Sequence, residues 1–348
     1  MIVTKRTQGN HQRLRALSTT IGLLTLSLIM AACSSSNSGS KAVAAAGVTT
    51  PSNGVIKLRM ALAPSLASLP EYVALKQGMF TKQNLEVSIS SSADVTNLPA
   101  ALGRQYDFGV GLQNVLISAV ASGLPLVATG GGQLETPTNP NSGVIVKGTS
   151  GIKGPKDFVG KNVGVASVNG AMGLEFLWWL HNNGVDETKV HLVQVAFSNM
   201  ADQLKAGRVD AVFPLVPFVS AVLAGVPGSV NLGDAALSVG NGVATQGSFL
   251  MSDKSWAAKN ASVVCGVEKA ATEAIAFIKD KPDEAKQILS DYSHIPLPVL
   301  KDLNLGEFRA YETSDDLGLW LNVMKTVGSF DGAVVVKDLV TASCVSPS

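Results

Sequence analysis

The chain has 348 residues, 46% of them apolar and only 15% charged, enough to bury one large core or two of ordinary size. Its formal charge of +1 misleads: Lys5, Arg6, Arg13 and Arg15 precede any acidic residue, and removing these four leaves 23 basic residues against 26 acidic ones. A mature chain near −3 has no basic patch of the kind that nucleic acid requires, so nucleic acid is set aside as a partner.

Those four cations begin a secretory signal. An apolar run follows over 21–30, then Ala31-Ala32-Cys33. Met30-Ala31-Ala32-Cys33 resembles a bacterial lipobox, which implies a lipoprotein signal peptide over 1–32 and lipid modification of Cys33. Residues 33–54 are rich in Ser, Ala and Gly and read as a flexible tether. The protein is expected outside the cytoplasmic membrane, held to it by lipid. Cys265 and Cys344 are then left as an even pair in an oxidising compartment, read as a disulfide with two buried thiols as the alternative. Two cysteines without a spaced histidine do not make a zinc set, so no metal is expected.

Residues 57–63 alternate and then turn apolar, as a strand entering a core does. Ser68-Leu69-Pro70-Glu71 has capping-box spacing at the mouth of a helix reaching Gly78, which leaves Ser65 as the freer hydroxyl. Strands follow over 85–89 and 106–110, separated by a short helix over 97–104. Asn114 is placed to cap a helix closed by Gly123. After a strand over 125–129, the Gly/Thr/Pro/Asn composition of 130–141 reads as a crossover loop. The apolar run 163–166 is a buried strand that empties through small residues into a helix reaching Leu180. Such a helix start offers free N–H groups and positive potential to a ligand. A strand is read over 189–195, a helix over 199–206 capped by Ser198, a strand over 209–213 and an extended return over 244–252. Helices are expected over 263–279, 282–292, 317–327 and 334–342.

One internal echo stands out. Leu102-Gly103-Arg104-Gln105-Tyr106-Asp107 resembles Leu204-Lys205-Ala206-Gly207-Arg208-Val209-Asp210, a helix end and a Gly-Arg turn leading into an apolar strand. At about a hundred residues the period is too long for a solenoid and points to two similar α/β lobes, whose strand ends face a shared crevice.

Several segments together resemble the substrate-binding proteins of ABC importers, and among them the group taking up nitrate, taurine, aliphatic sulfonates and the thiamine-precursor pyrimidine. They are Ala74-Leu75-Lys76-Gln77-Gly78-Met79-Phe80, Asn84-Leu85-Glu86-Val87, the two Gly-Arg turns, Gly123-Leu124-Pro125, and Gly151-Ile152 through Lys161. The resemblance covers most of 55–290 and little of 300–348. It implies an α/β, two-lobed, type II periplasmic-binding fold with two crossover hinge segments. Lobe one would take 55–142 and 247–345, and lobe two 143–246. It also places the binding positions on the loops after strands: Ser65 and Leu66; Gln113 and Asn114; Ser167, Asn169, Gly170, Ala171 and Met172; Pro214 and Phe218.

None of these is charged. An anion would therefore be held by N–H groups and hydroxyls, while Met172, Pro214 and Phe218 would line an apolar end. Trp178 and Trp179 read as packing. No nucleophile–base arrangement surrounds His181, His191 or His294, and no phosphate-cradling loop or dinucleotide fingerprint occurs, so neither an enzyme nor a cofactor is expected. The expected function is a monomeric, lipid-anchored binding protein that captures a small organic anion, of the aliphatic sulfonate, taurine or carboxylate kind, and passes it to an ABC permease with its ATPase. The alternatives are a neutral heterocycle such as a thiamine-precursor pyrimidine, or a ligand-sensing lipoprotein.

Overall fold

The computed structural model describes residues 54–91 and 97–346. The signal segment and Cys33 lie outside the described residues. The strands in chain order are β1 (Ile56–Leu62), β2 (Leu85–Ser91), β3 (Phe108–Gly111), β4 (Leu126–Gly130), β5 (Gly132–Glu135), β6 (Ile145–Lys147) and β7 (Asn162–Val165). They continue with β8 (His191–Gln194), β9 (Ala211–Phe213), β10 (Ser229–Asn231), β11 (Thr245–Gln246), β12 (Phe249–Asp253) and β13 (Glu307–Arg309). The α-helices are α1 (Leu69–Lys76), α2 (Met79–Lys82), α3 (Gln113–Ala121), α4 (Ala171–Asn182), α5 (Met200–Lys205) and α6 (Phe218–Gly225). The C-terminal third adds α7 (Lys254–Lys259), α8 (Ala261–Asp280), α9 (Pro282–Ser293), α10 (Leu297–Leu300) and α11 (Ser314–Thr326).

Two five-stranded sheets share one plan. The first runs β2-β1-β3-β12-β4 and the second, from its other edge, β8-β7-β9-β6-β10. In each, a central strand pairs in parallel with both neighbours (β1 with β2 and β3, β7 with β8 and β9), and one strand crosses antiparallel beside them (β12 on β3, β6 on β9). The repeated turn explains part of this likeness. Asp107 accepts from the Arg59 amide at 2.9 Å while its own amide donates to the Arg59 carbonyl at 2.9 Å. Asp210 closes the same ring on Asn162, at 2.8 Å in both directions. Gly103 and Gly207, both at positive φ, make the turn that brings each aspartate there. Arg59, rather than Arg104, supplies the guanidinium, 2.9 Å from Asp107.

The stretch 130–141, expected to be a loop, holds a strand. β5 is the middle of a third, small sheet, β11-β5-β13, whose partners lie more than a hundred residues away, so its polar composition hides its pairing. Capping also differs from expectation. Asn114 lies inside α3, whose N-cap is Leu112 with extended backbone. Asn199, not Ser198, is the N-cap of α5. Ser68 is the N-cap of α1, but its hydroxyl is buried without a partner, so no capping box forms. The helix expected over 334–342 is a single 3-10 turn, Val336–Leu339.

Helix α4 is apolar on nearly all sides because it is enclosed on both. Met172, Phe176 and Leu180 enter the core of the second sheet, while Leu174 joins the first core with Trp178 packed against it. Trp178 also donates to the Ser238 carbonyl at 2.9 Å, and α11 lies against α4. Cys265 and Cys344 form a disulfide.

Candidate functional site

At the carboxyl ends of β1, β3, β7 and β9 the chain turns through the four loops singled out in the sequence. After β1, Ser65 is exposed, and its carbonyl accepts from the Tyr292 hydroxyl at 2.8 Å. Tyr292 stacks face to face on Tyr72, with ring centroids 3.7 Å apart. Leu66 is partly buried in a 3-10 turn that packs beside β5.

After β3, Gln113 and Asn114 are almost wholly buried, at 1% and 7% exposure. The Gln113 Nε2 donates to the Gln246 carbonyl at 2.5 Å and to Glu312 Oε2 at 3.3 Å. The side-chain oxygens of both Gln113 and Asn114 have no hydrogen-bond partner.

After β7, Ser167 and Asn169 are exposed, and Gly170 is the extended N-cap of the twelve-residue α4, followed by the half-buried Ala171. The loop folds tightly back on the helix, because a Cβ on Gly173 would lie 2.0 Å from the Val168 carbonyl oxygen. Met172 is core. After β9, Pro214 is buried and its carbonyl accepts from the Gly143 amide at 3.1 Å, which ties this loop to the crossover at 141–143. Phe218 stacks on Phe197 at 5.3 Å.

Where the loop after β9 meets the crossover, three carboxyl groups converge that the loop reading missed. Glu135 ends β5 and accepts from Asn141 Nδ2 at 3.2 Å. Asp234 accepts from the Ser142 amide at 3.0 Å and from the Ser142 hydroxyl. Glu175, on α4, is buried and feels both of the others. Among the described residues none of the three is in an ion pair. Burial first, and then the charge of Asp234, pushes the Glu135 carboxyl up to about 7. Burial and the two neighbouring acids hold Glu175 well above the usual carboxylate range. One signal for Glu175 was present in the sequence: it is the lone acid in the apolar run Met172 to Leu180.

A second buried group adjoins Gln113. Arg309 pairs with Asp316 and lies 3.6 Å from Glu312, and Asp316 accepts from the Gln246 amide at 3.2 Å. Burial, and then the charge of Asp316, raises the Glu312 carboxyl well above its ordinary value. Glu71 is buried near the Tyr72–Tyr292 stack, and burial alone pushes it up to about 8. The histidines are peripheral: His181 is bonded to Glu187 at 3.3 Å, His191 is exposed on β8, and His294 is the left-handed C-cap of α9. Taken together, these groups are rich in carboxyl and amide oxygens; each raised carboxyl donates one O–H while protonated and only accepts once ionised. A guest that brings N–H groups or positive charge favours the ionised form and satisfies the free Gln113 and Asn114 oxygens.

Comparison with known proteins agrees with this architecture. The family model described as NMT1/THI5 like matches residues 66–285. A putative thiamine biosynthesis protein of Haemophilus influenzae is 38% identical over 141 residues, 40% of this chain. That match spans 43% of the Haemophilus protein's own length. The 4-amino-5-hydroxymethyl-2-methylpyrimidine phosphate synthase of Legionella pneumophila is 25% identical over 221 residues, covering 63% of this chain and 68% of that protein. Among solved structures, the periplasmic aliphatic sulphonate binding protein of Escherichia coli superposes with a TM-score of 0.69 at 19% identity, covering 84% of this chain and 94% of that one. The fold is therefore that of the periplasmic binding proteins, and the chain belongs to the NMT1/THI5-like family.

Proposed function

We propose that this protein is an extracytoplasmic, lipid-anchored solute-binding protein that captures a small nitrogen heterocycle of the aminopyrimidine class and delivers it to an ABC permease. The observation that carries the ligand class is a set of acceptor oxygens that no cation neutralises. Glu135, Glu175 and Asp234 meet without a cation, and the Gln113 and Asn114 oxygens are free. A sulfonate brought among three carboxyls is repelled by each one that is ionised, and the free Gln113 and Asn114 oxygens offer it no donor. An amino group or a protonated ring nitrogen relieves the same repulsion. The Legionella relative is named for a pyrimidine phosphate and the Haemophilus relative for thiamine biosynthesis, which supports this class.

The reading is one of binding without chemistry; among the described residues no histidine is hydrogen-bonded to the acceptor cluster. Anchorage at Cys33 and the permease partner rest on the lipobox resemblance and the fold.

A small organic anion is the second reading. It is favoured by the start of α4, where exposed Ser167 and Asn169 stand before an extended Gly170 and a full-length helix. A thermal-shift series on the mature protein separates the two, since a ligand stabilises by RT ln(1 + [L]/Kd). We expect 4-amino-5-hydroxymethyl-2-methylpyrimidine to raise the Tm, with taurine, an alkanesulfonate and nitrate giving no rise. A rise with the sulfonates alone would replace the heterocycle by the anion.

A further inference from the structure

The family match ends at residue 285, yet one partner of Gln113, Glu312, lies well beyond it. Gln113 is the first residue of α3, directly after the carboxyl end of β3, and its amide is held by its nitrogen. The Gln246 carbonyl, 2.5 Å from Nε2, can only accept, so the nitrogen must face it whatever the protonation of Glu312. The Gln113 oxygen is thereby left buried and without a partner.

The acceptors that fix the nitrogen are themselves fixed from the C-terminal segment. Gln246 is tied by its own amide to Asp316 at 3.2 Å, and Arg309 bridges Asp316 and Glu312. Glu312 also accepts from the Thr313 amide at 2.7 Å, and the Arg309 Nε donates to the Tyr311 carbonyl at 3.0 Å. Gln113, Gln246, Glu312 and Asp316 are all at most 7% exposed, so the arrangement cannot relax into water.

We propose that Arg309, Glu312 and Asp316 are positioning residues that lock the Gln113 amide with its oxygen turned to the ligand, so that the C-terminal segment selects for an N–H donor at that point. A buried amide left free to rotate would offer either end to a guest. Held by its nitrogen, it offers only the acceptor and rejects a guest that presents an oxygen there. The ligand part of this inference rests on the donor-bearing solute proposed above; the orientation of the amide does not.

The test has two arms on the intact mature protein. In the ligand-free state, the side-chain amide of Gln113 is observed by nitrogen-15 NMR and assigned by its loss in Gln113→Leu. We expect two slowly exchanging protons in the parent. They are expected to be retained in Glu312→Gln, which keeps an acceptor oxygen, and to exchange about tenfold faster in Glu312→Leu. In the second arm, the dissociation constant for 4-amino-5-hydroxymethyl-2-methylpyrimidine rises about tenfold in Glu312→Leu, the equivalent of one good hydrogen bond, and about threefold or less in Glu312→Gln.

Should Glu312→Leu fail to fold by circular dichroism, Arg309→Lys takes its place. Lysine cannot reproduce the fixed planar fork that also donates through Nε to the Tyr311 carbonyl, so the hold on the carboxyls loosens and a faster-exchanging Gln113 amide is again expected. Unchanged Gln113 amide protons in the folded variant overturn the inference. A parent protein that binds no pyrimidine overturns the ligand class instead, and the amide arm then decides the positioning role alone.

Discussion

At the scale of single residues, the molecule is marked by carboxyl groups held largely out of water. Burial pushes Glu71 up to about 8 and, with the charge of Asp234, Glu135 up to about 7, against an ordinary value of 4.5. Both therefore bind protons more tightly in the folded than in the unfolded chain. Their favourable contribution is full below about pH 4.5 and is lost as pH rises through about 7 for Glu135 and about 8 for Glu71. The ligand-free protein is expected to melt lower at pH 8.5 than at pH 5.5, and Glu71→Gln to flatten that slope. The difference between parent and variant amounts to about 1.4 kcal/mol for each pH unit in the window. Identical slopes in a calorimetric pH series would show that Glu71 does not titrate there.

Gln113→Glu tests the site at the same scale. It places a carboxylate 3.3 Å from Glu312, where an amide nitrogen now donates. Binding of the pyrimidine is expected to fall more than about tenfold and stability to drop by roughly 1–3 kcal/mol, checked by isothermal titration and urea unfolding. Wild-type affinity would remove Gln113 from the site. The four loops that hold the carried-over residues were legible in the sequence because strands empty there into helices. The charged partners were not. Glu135 and Asp234 are ordinary polar residues until folding brings them to Glu175, and Glu312 until it meets Gln113 and Arg309.

Among the elements, α4 shows how much an apolar pattern leaves open. Its sequence reads as a helix with no polar side. Only packing between two cores explains why Leu174 and Phe176 both need burial. Gly173 is the fixed point of this helix. Gly173→Ala sets a methyl 2.0 Å from the Val168 carbonyl oxygen, so the loop before α4 must shift. A loss of roughly 1–3 kcal/mol is expected in urea unfolding. An unchanged midpoint would mean that the loop yields without cost.

The C-terminal segment is a second such element. Val340 bridges Ala128 on edge strand β4, the Thr341 amide donates to the Ala128 carbonyl at 2.9 Å, and the Cys344 amide donates to Glu268 at 2.9 Å. The disulfide, spanning 79 residues, holds this strap down. Replacing both cysteines by serine is expected to cost roughly 2–4 kcal/mol and to speed hydrogen exchange at Thr341. Protection that survives in the variant would show that the strap stands without it.

For the whole molecule, the repeated Gly-Arg turn that ends in Asp was the clearest sign of two related halves, and its role is now concrete: each aspartate pins the strand that pairs in parallel on both sides, β1 or β7. Anchorage is the prediction at this scale. Cys33→Ala is expected to move the protein from the membrane fraction to the soluble one on cell fractionation, and continued membrane attachment would sink the lipid anchor. What the sequence by itself determined is local: periodic apolar runs, Gly turns at positive φ, and strands that end in small-residue loops, because each depends on neighbours a few residues away. What only the tertiary structure decided is non-local. β5 became a strand because β11 and β13 pair with it. α4 is buried on two sides because α11 lies against it. The loops that carry no charge of their own open beside buried acids that come from elsewhere in the chain. Long-range pairing and burial set those outcomes, and neither leaves a pattern in the nearest residues.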